Sequence, residues 1–153
     1  MTRLSYRIIP FTTAHLGAIT DIYAHHVKTG TASFEETPPT KEKMKARFAA
    51  LAQQDYPLLV AQTQAGEIIG YAYAGPHKLR SAYRFTVEDS IYVAPSYLGC
   101  GIGKALLMAL IEACNTGPFQ QMIAVIGDSA NVPSIRVHEA CGFTPIGLSL
   151  IHI

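Results

Sequence analysis

Val87-Glu-Asp-Ser-Ile-Tyr-Val-Ala-Pro-Ser-Tyr-Leu-Gly-Cys-Gly-Ile-Gly-Lys-Ala-Leu-Leu107 is the stretch that decides the fold. A β-branched and aromatic run stops at Pro95, Gly99, Gly101 and Gly103 follow at every second position, and helical apolar spacing begins at Ile102. The reading is strand, glycine turn, helix. Glycine lets a backbone approach a ligand closely, and the free N–H groups of a first helical turn carry the positive end of the helix dipole. A phosphate or pyrophosphate suits such a place.

Two familiar phosphate motifs do not match. A P-loop needs Gly where Leu98 stands and Ser or Thr where Ala105 stands. The dinucleotide fingerprint needs a small residue three places beyond its second glycine, where this chain has Lys104 or Leu106. A bare strand-to-helix turn would use the same letters, so three glycines alone leave the ligand open.

The 153 residues suit a single domain, with 49% hydrophobic and 15% charged residues and a net charge of +1. That composition argues against disorder and against a broad basic field for nucleic acid. No apolar run is long enough for a membrane span, and the opening residues lack a signal-peptide pattern, so a cytoplasmic protein is expected. Cys100, Cys114 and Cys141 have no paired or metal-like spacing, which suits a reducing compartment. Cys100, near a helix start, is either a reactive thiol or a tolerated loop residue. The six histidines form no ligand set, and no metal is expected.

Working outward, Arg7 to Pro10 reads as a first strand, and Leu16, Ile19, Ile22, Tyr23 and Val27 mark the core face of a helix. After a turn-rich stretch to Pro39, Thr40 caps a second helix with Met44, Phe48 and Leu51 inward. Leu58 to Thr63 and Glu67 to Tyr73 form a hairpin around Ala65-Gly66. A basic loop, His77-Lys78-Leu79-Arg80, leads into a strand from Tyr83 to Val93. The helix from Ile102 to about Cys114 buries Leu106, Ala109, Leu110 and Ala113. Met122 to Ile126 is a further strand, Pro133 to Ala140 a short helix, and Phe143 begins a last strand. This order predicts a mixed α/β fold whose sheet is mostly antiparallel and turns parallel after the glycine turn, with helices flanking it.

The letters also carry a resemblance over almost the whole chain. Ile22-Tyr23 with His25-His26-Val27, Thr31 to Pro39, Gly70 to Pro76, Thr86-Val-Glu88, Ile91-Tyr-Val93, the glycine turn, Ala124 to Gly127, Asn131, Ser134, and His138-Glu139 with Gly142-Phe143 stand in one order. With them the chain resembles the GCN5-related N-acetyltransferase (GNAT) superfamily, phosphinothricin acetyltransferase-like branch. The resemblance implies acetyl-CoA as cosubstrate, a primary amine as acceptor and a homodimer. It implies that Ile91, Tyr92 and Val93 meet the pantetheine arm through their backbone, that Gly99, Cys100, Gly101, Ile102, Gly103 and Lys104 cradle the pyrophosphate, and that Asn131 touches the cofactor arm. Leu98 and Cys100 depart from the polar or basic residues common at those places. Because backbone amides do most of the cradling, weakened rather than lost binding is expected.

Thioester aminolysis needs a neutral amine, and Glu88 sits on a strand among the apolar Val87, Ile91 and Val93. Partial burial raises a carboxyl's proton affinity. Glu88 also matches the branch's proposed general base, against the simpler reading of a surface acid paired with Arg84. His138 matches a position from which a proton reaches the leaving thiolate, or from which substrate is oriented; a structural helix histidine is the other reading. Lys78 and Arg80 match positions facing an acidic acceptor, and Phe34 and Glu35 match another wall of its pocket.

The expected acceptor is a small acidic amino acid such as phosphinothricin or methionine sulfoximine. The alternatives are another amine, a protein N-terminus, or a non-catalytic acyl-CoA-binding module. Relatives continue past the strand at Phe143, so the sheet is expected to lack its last strand. Leu148 to Ile153 equals the translation of a transposase-end adapter, and is expected to be a non-native tail.

Overall fold

The computed structural model describes residues 4–29, 36–77, 81–126 and 132–146. Five strands, β1 (Tyr6–Pro10), β2 (Leu58–Thr63), β3 (Ile68–Pro76), β4 (Thr86–Val93) and β5 (Gln121–Ile123), lie in the sheet in chain order. The first four pair antiparallel, and β4 pairs β5 in parallel through α3 (Ile102–Asn115). The helices α1 (Leu16–Thr29) and α2 (Lys41–Gln53) cover one face of the sheet, and α3 with α4 (Val132–Ala140) covers the other. The mixed, largely antiparallel sheet with flanking helices is the architecture expected from the sequence.

Helical spacing places the core correctly on α1, where Leu16, Ile19, Ile22, Tyr23 and Val27 are all buried. On α2 the Thr40 hydroxyl accepts from the Lys43 amide, Met44 and Phe48 are buried, and Leu51, in the last turn, is only half-buried. On α3 the fully buried residues are Ile102, Leu106, Leu107 and Leu110, while Ala109 and Ala113 sit at the margin. Leu107 shows that the buried arc is wider than the stripe expected there.

Four boundaries differ from the sequence reading. The strand expected over Glu67 to Tyr73 runs on to Pro76, because Ala74, Gly75 and Pro76 pair with Asp89, Glu88 and Val87. The strand expected from Tyr83 begins at Thr86, because Ser81–Tyr83 closes a 3-10 turn. The strand expected over Met122 to Ile126 is confined to Gln121–Ile123, since its pairing with β4 ends at Glu88. Phe143 begins no strand: residues 143–146 are irregular after the Gly142 turn, and the Phe143 ring instead packs edge-on against His138. A strand needs a neighbour for its backbone groups, which β5 does not supply there.

Two contacts set where the helices sit. At Gly70 a Cβ would stand 3.1 Å from Leu106 Cδ1, 3.1 Å from the Tyr92 carbonyl oxygen and 3.3 Å from Ile102 Cγ2, so a larger residue would press α3 away from β3 by a few tenths of an ångström. The second contact pins α4 to β4: His138 Nε2 donates to Asp89 Oδ2 at 2.7 Å and Nδ1 donates to the Ser134 carbonyl at 2.7 Å. Both partners offer only oxygen acceptors, so the buried ring carries both protons. Burial pushes the His138 pKa down, but the Asp89 hydrogen bond and charge, with the Ser134 carbonyl, outweigh it and leave the pKa raised above 6.5.

Leu106→Ala should cost ~3 kcal/mol and Gly70→Ala about 1–3 kcal/mol of unfolding free energy, one by a cavity and one by overpacking. Urea denaturation with an unchanged m-value checks both. A histidine whose native pKa exceeds its unfolded 6.5 contributes stability in full below 6.5 and loses it as pH rises through the native value. The urea midpoint should therefore fall over that window, and Asp89→Asn should flatten the fall.

Candidate active site

The site forms where β4 and β5 part. Their parallel pairing runs Thr86–Gln121, Val87–Met122 and Glu88–Ile123 and then stops, while β4 stays paired with β3 as far as Val93. The Ala94 amide donates to Ile69 and the His77 amide to Thr86, which fixes the even-numbered residues of β4 as those bonded to β3. The peptide groups of Asp89, Ile91 and Val93 therefore point toward the opening beside β5. The expected pantetheine contacts at Ile91 and Val93 suit this geometry. The Tyr92 backbone faces β3, and its ring joins Tyr23, His26 and Tyr71 on the α1 face.

Beyond Val93 the chain makes one 3-10 turn, Pro95–Tyr97, and reaches the glycines. Gly99 and Gly101 have φ of 79° and 80°, the left-handed region, and a Cβ on either would meet no atom within 4 Å. Gly101 is the N-cap of α3 and offers no side-chain cap, while the Ala105 amide returns to the Gly101 carbonyl. The amides of Ile102, Gly103 and Lys104 thus form an uncapped first turn, which suits a pyrophosphate. Cys100 and Leu98 are exposed beside it. The described residues fit the cofactor arm that the resemblance implies.

Alternation along β4 places Glu88 and Asp89 on opposite faces. Glu88, its side chain 34% exposed, accepts from His77 Nδ1 at 2.8 Å. Asp89 is 2% exposed; its Oδ2 accepts a hydrogen bond from His138 Nε2, and its buried Oδ1 meets no donor among the described residues. The structure thus pairs each catalytic candidate with a second residue, and sets Glu88 and His138 on different faces of the sheet.

His77 and Asp89 were not singled out as site residues from the sequence. The sequence signal for His77 was only its place in the basic loop after the hairpin, and that for Asp89 its adjacency to Glu88 on a strand, where neighbouring side chains face opposite ways. A third histidine also reaches the site: His26 Nε2 donates to the Val93 carbonyl at 2.7 Å. Burial lowers its pKa, partly offset by that bond and deepened by the neighbouring His25.

A groove of about 720 Å³ lies between β5, the end of α3 and α4, with His138 on its wall. Neither Glu88 nor the glycine turn lines it. Phe34, Glu35, Lys78, Arg80 and Asn131 lie outside the described residues. No group of three or more possible metal ligands occurs among the described residues.

The chain is 53% identical over 133 residues to phosphinothricin N-acetyltransferase of Alcaligenes faecalis, an alignment covering 87% of this chain and 67% of that protein. It is 42% identical to the L-methionine sulfoximine/L-methionine sulfone acetyltransferase of Pseudomonas paraeruginosa, over 85% of this chain and 75% of that one. Its fold superposes with a TM-score of 0.90 on a GNAT superfamily phosphinothricin acetyltransferase from Sinorhizobium meliloti in complex with AcCoA, 46% identical, over 94% of this chain and 77% of that one. The model of the Acetyltransferase (GNAT) family matches residues 17–143. With the parted strands, the uncapped glycine turn and this match over most of its length, the chain belongs to the GNAT acetyltransferase family.

Proposed function

We propose that this chain moves the acetyl group of acetyl-CoA to the primary amine of a small acidic amino acid of the phosphinothricin or methionine sulfoximine kind, with Glu88 as general base. The observation that carries the reading is Glu88 at the last position of β4 paired with β5, one-third exposed, where the sheet opens and the backbone of Ile91 and Val93 turns toward the opening. The names of the relatives at 53% and 42% identity support the acceptor class. Acetyl-CoA would supply a thioester carbonyl activated toward amines.

Within this reading the uncapped turn from Gly99 to Lys104 holds the pyrophosphate, and Asn131 touches the arm. The amides of Ile91 and Val93 receive pantetheine and the charge that develops on the carbonyl oxygen. Glu88 takes one proton from the acceptor ammonium, which frees a lone pair on nitrogen to attack the carbonyl carbon. The C–S bond then breaks, its electron pair leaves with sulfur, and the nitrogen, now bonded to the carbonyl carbon, gives up its second proton to solvent as the amide forms.

His138 is the proton source for that thiolate, kept charged by Asp89; because both its N–H groups are engaged, one hydrogen bond must open to release the proton. Lys78 and Arg80 hold the acceptor's acidic end, and Phe34 and Glu35 line its pocket. The protein works as a homodimer in the cytoplasm, in keeping with three free cysteines.

Glu88→Gln should lower kcat by about 100-fold or more while leaving acetyl-CoA binding unchanged by calorimetry. Unchanged turnover with phosphinothricin or methionine sulfoximine would remove the base assignment. Gly101→Ala forces a methyl group into left-handed backbone at a cost of about 1–2 kcal/mol. The dissociation constant for acetyl-CoA should rise about tenfold with the folded content unchanged by circular dichroism.

A further inference from the structure

We propose that His77 is a positioning residue for the amine-deprotonating step, holding the Glu88 carboxylate in its working orientation; the inference rests on Glu88 being the base. The geometry is specific. The His77 amide donates to the Thr86 carbonyl, so the residue stays in register one step past the end of β3, directly alongside β4. From there Nδ1 reaches Glu88 Oε1 at 2.8 Å, and a carboxylate can only accept, so Nδ1 carries the hydrogen. The ring is itself held, packed edge-on against Tyr83 with centroids 5.9 Å apart, and its side chain is only 18% exposed. Tyr83 lies in the 3-10 turn that leads into β4, so the histidine is held by its own backbone bond to Thr86 and by a ring from the start of the next element.

A glutamate has three side-chain torsions, and one that is one-third exposed on a strand samples several rotamers unless something restrains it. Occupying Oε1 with a fixed donor selects one orientation and leaves Oε2 as the oxygen that receives the proton. The step balances simply. The ammonium N–H bond breaks, the proton goes to Oε2, and the lone pair stays on nitrogen; His77 neither gains nor loses a proton.

The donor's position, not the aromatic ring, is what the proposal requires. Asparagine can place an amide N–H near the position of Nδ1, whereas alanine cannot. His77→Ala should lower kcat about tenfold with the KM for acetyl-CoA unchanged, and His77→Asn should recover kcat to within about threefold of wild type. A purely structural role would instead follow thermal stability, so melting temperatures are measured on both variants.

A double-mutant cycle with Glu88→Gln completes the test, using residual turnover of the full chain with acetyl-CoA and methionine sulfoximine. If His77 acts through Glu88, His77→Ala changes kcat less than about twofold once Glu88 is glutamine. Independent, multiplying losses would overturn the His77 assignment while leaving Glu88 as base. So would an asparagine variant as slow as the alanine one. Full turnover by Glu88→Gln alone would overturn the base and, with it, the role of His77.

Discussion

The pairing of β4 with β5 ends at Glu88, and the working geometry of the molecule follows from that ending. A parallel strand pair that ran the full length of β4 would consume the peptide groups of Asp89, Ile91 and Val93. Because β5 is only three residues long, those groups point into an opening instead. The same strand remains fully committed to β3 on its other side, so the opening has one rigid wall. A site on a strand held in this way is better defined than one on loops alone. The glycine turn follows after one 3-10 turn, and α3, which carries its amides, packs closely on β3 at Gly70.

The two acids at the end of the paired region have opposite surroundings. Glu88 projects to a partly wetted face where a proton can be exchanged, and its histidine neighbour presents one N–H. Asp89 projects into the α3–α4 side, where the carboxylate is dry and balanced by a histidine carrying two N–H groups. A buried pair of this kind contributes little net stability over an apolar substitute, but losing one member strands the other. Its effect is to tie the last described helix to the strand that bears Glu88.

Much of this was legible in the letters. The 3.6-residue spacing on α1 found its buried face, and the glycine spacing placed the turn and the start of α3. The antiparallel-to-parallel switch followed from the element order. What eluded the sequence depends on pairing between distant segments. The early end of β5 cannot be read from Met122 to Ile126, which is apolar throughout; only the partner strand's course shows where the ladder stops. Phe143 has the residue type of a strand start, yet its ring is used by His138. The His77–Glu88 and Asp89–His138 contacts join residues 11 and 49 positions apart, and neither composition nor periodicity reports such a meeting.

The third histidine has a consequence for how the end of β4 behaves as a unit. His26 donates to the Val93 carbonyl at 2.7 Å, and the N–H of that same peptide group, on Ala94, donates to the Ile69 carbonyl at 2.8 Å. Imidazole, peptide and carbonyl therefore form a relay of aligned dipoles running from α1 across β4 to β3. In such a chain each bond polarises the next, so the links strengthen together and weaken together. The last peptide of β4 is in this way clamped cooperatively from α1 and from β3, and a disturbance at either end is felt as a loosening of the whole relay.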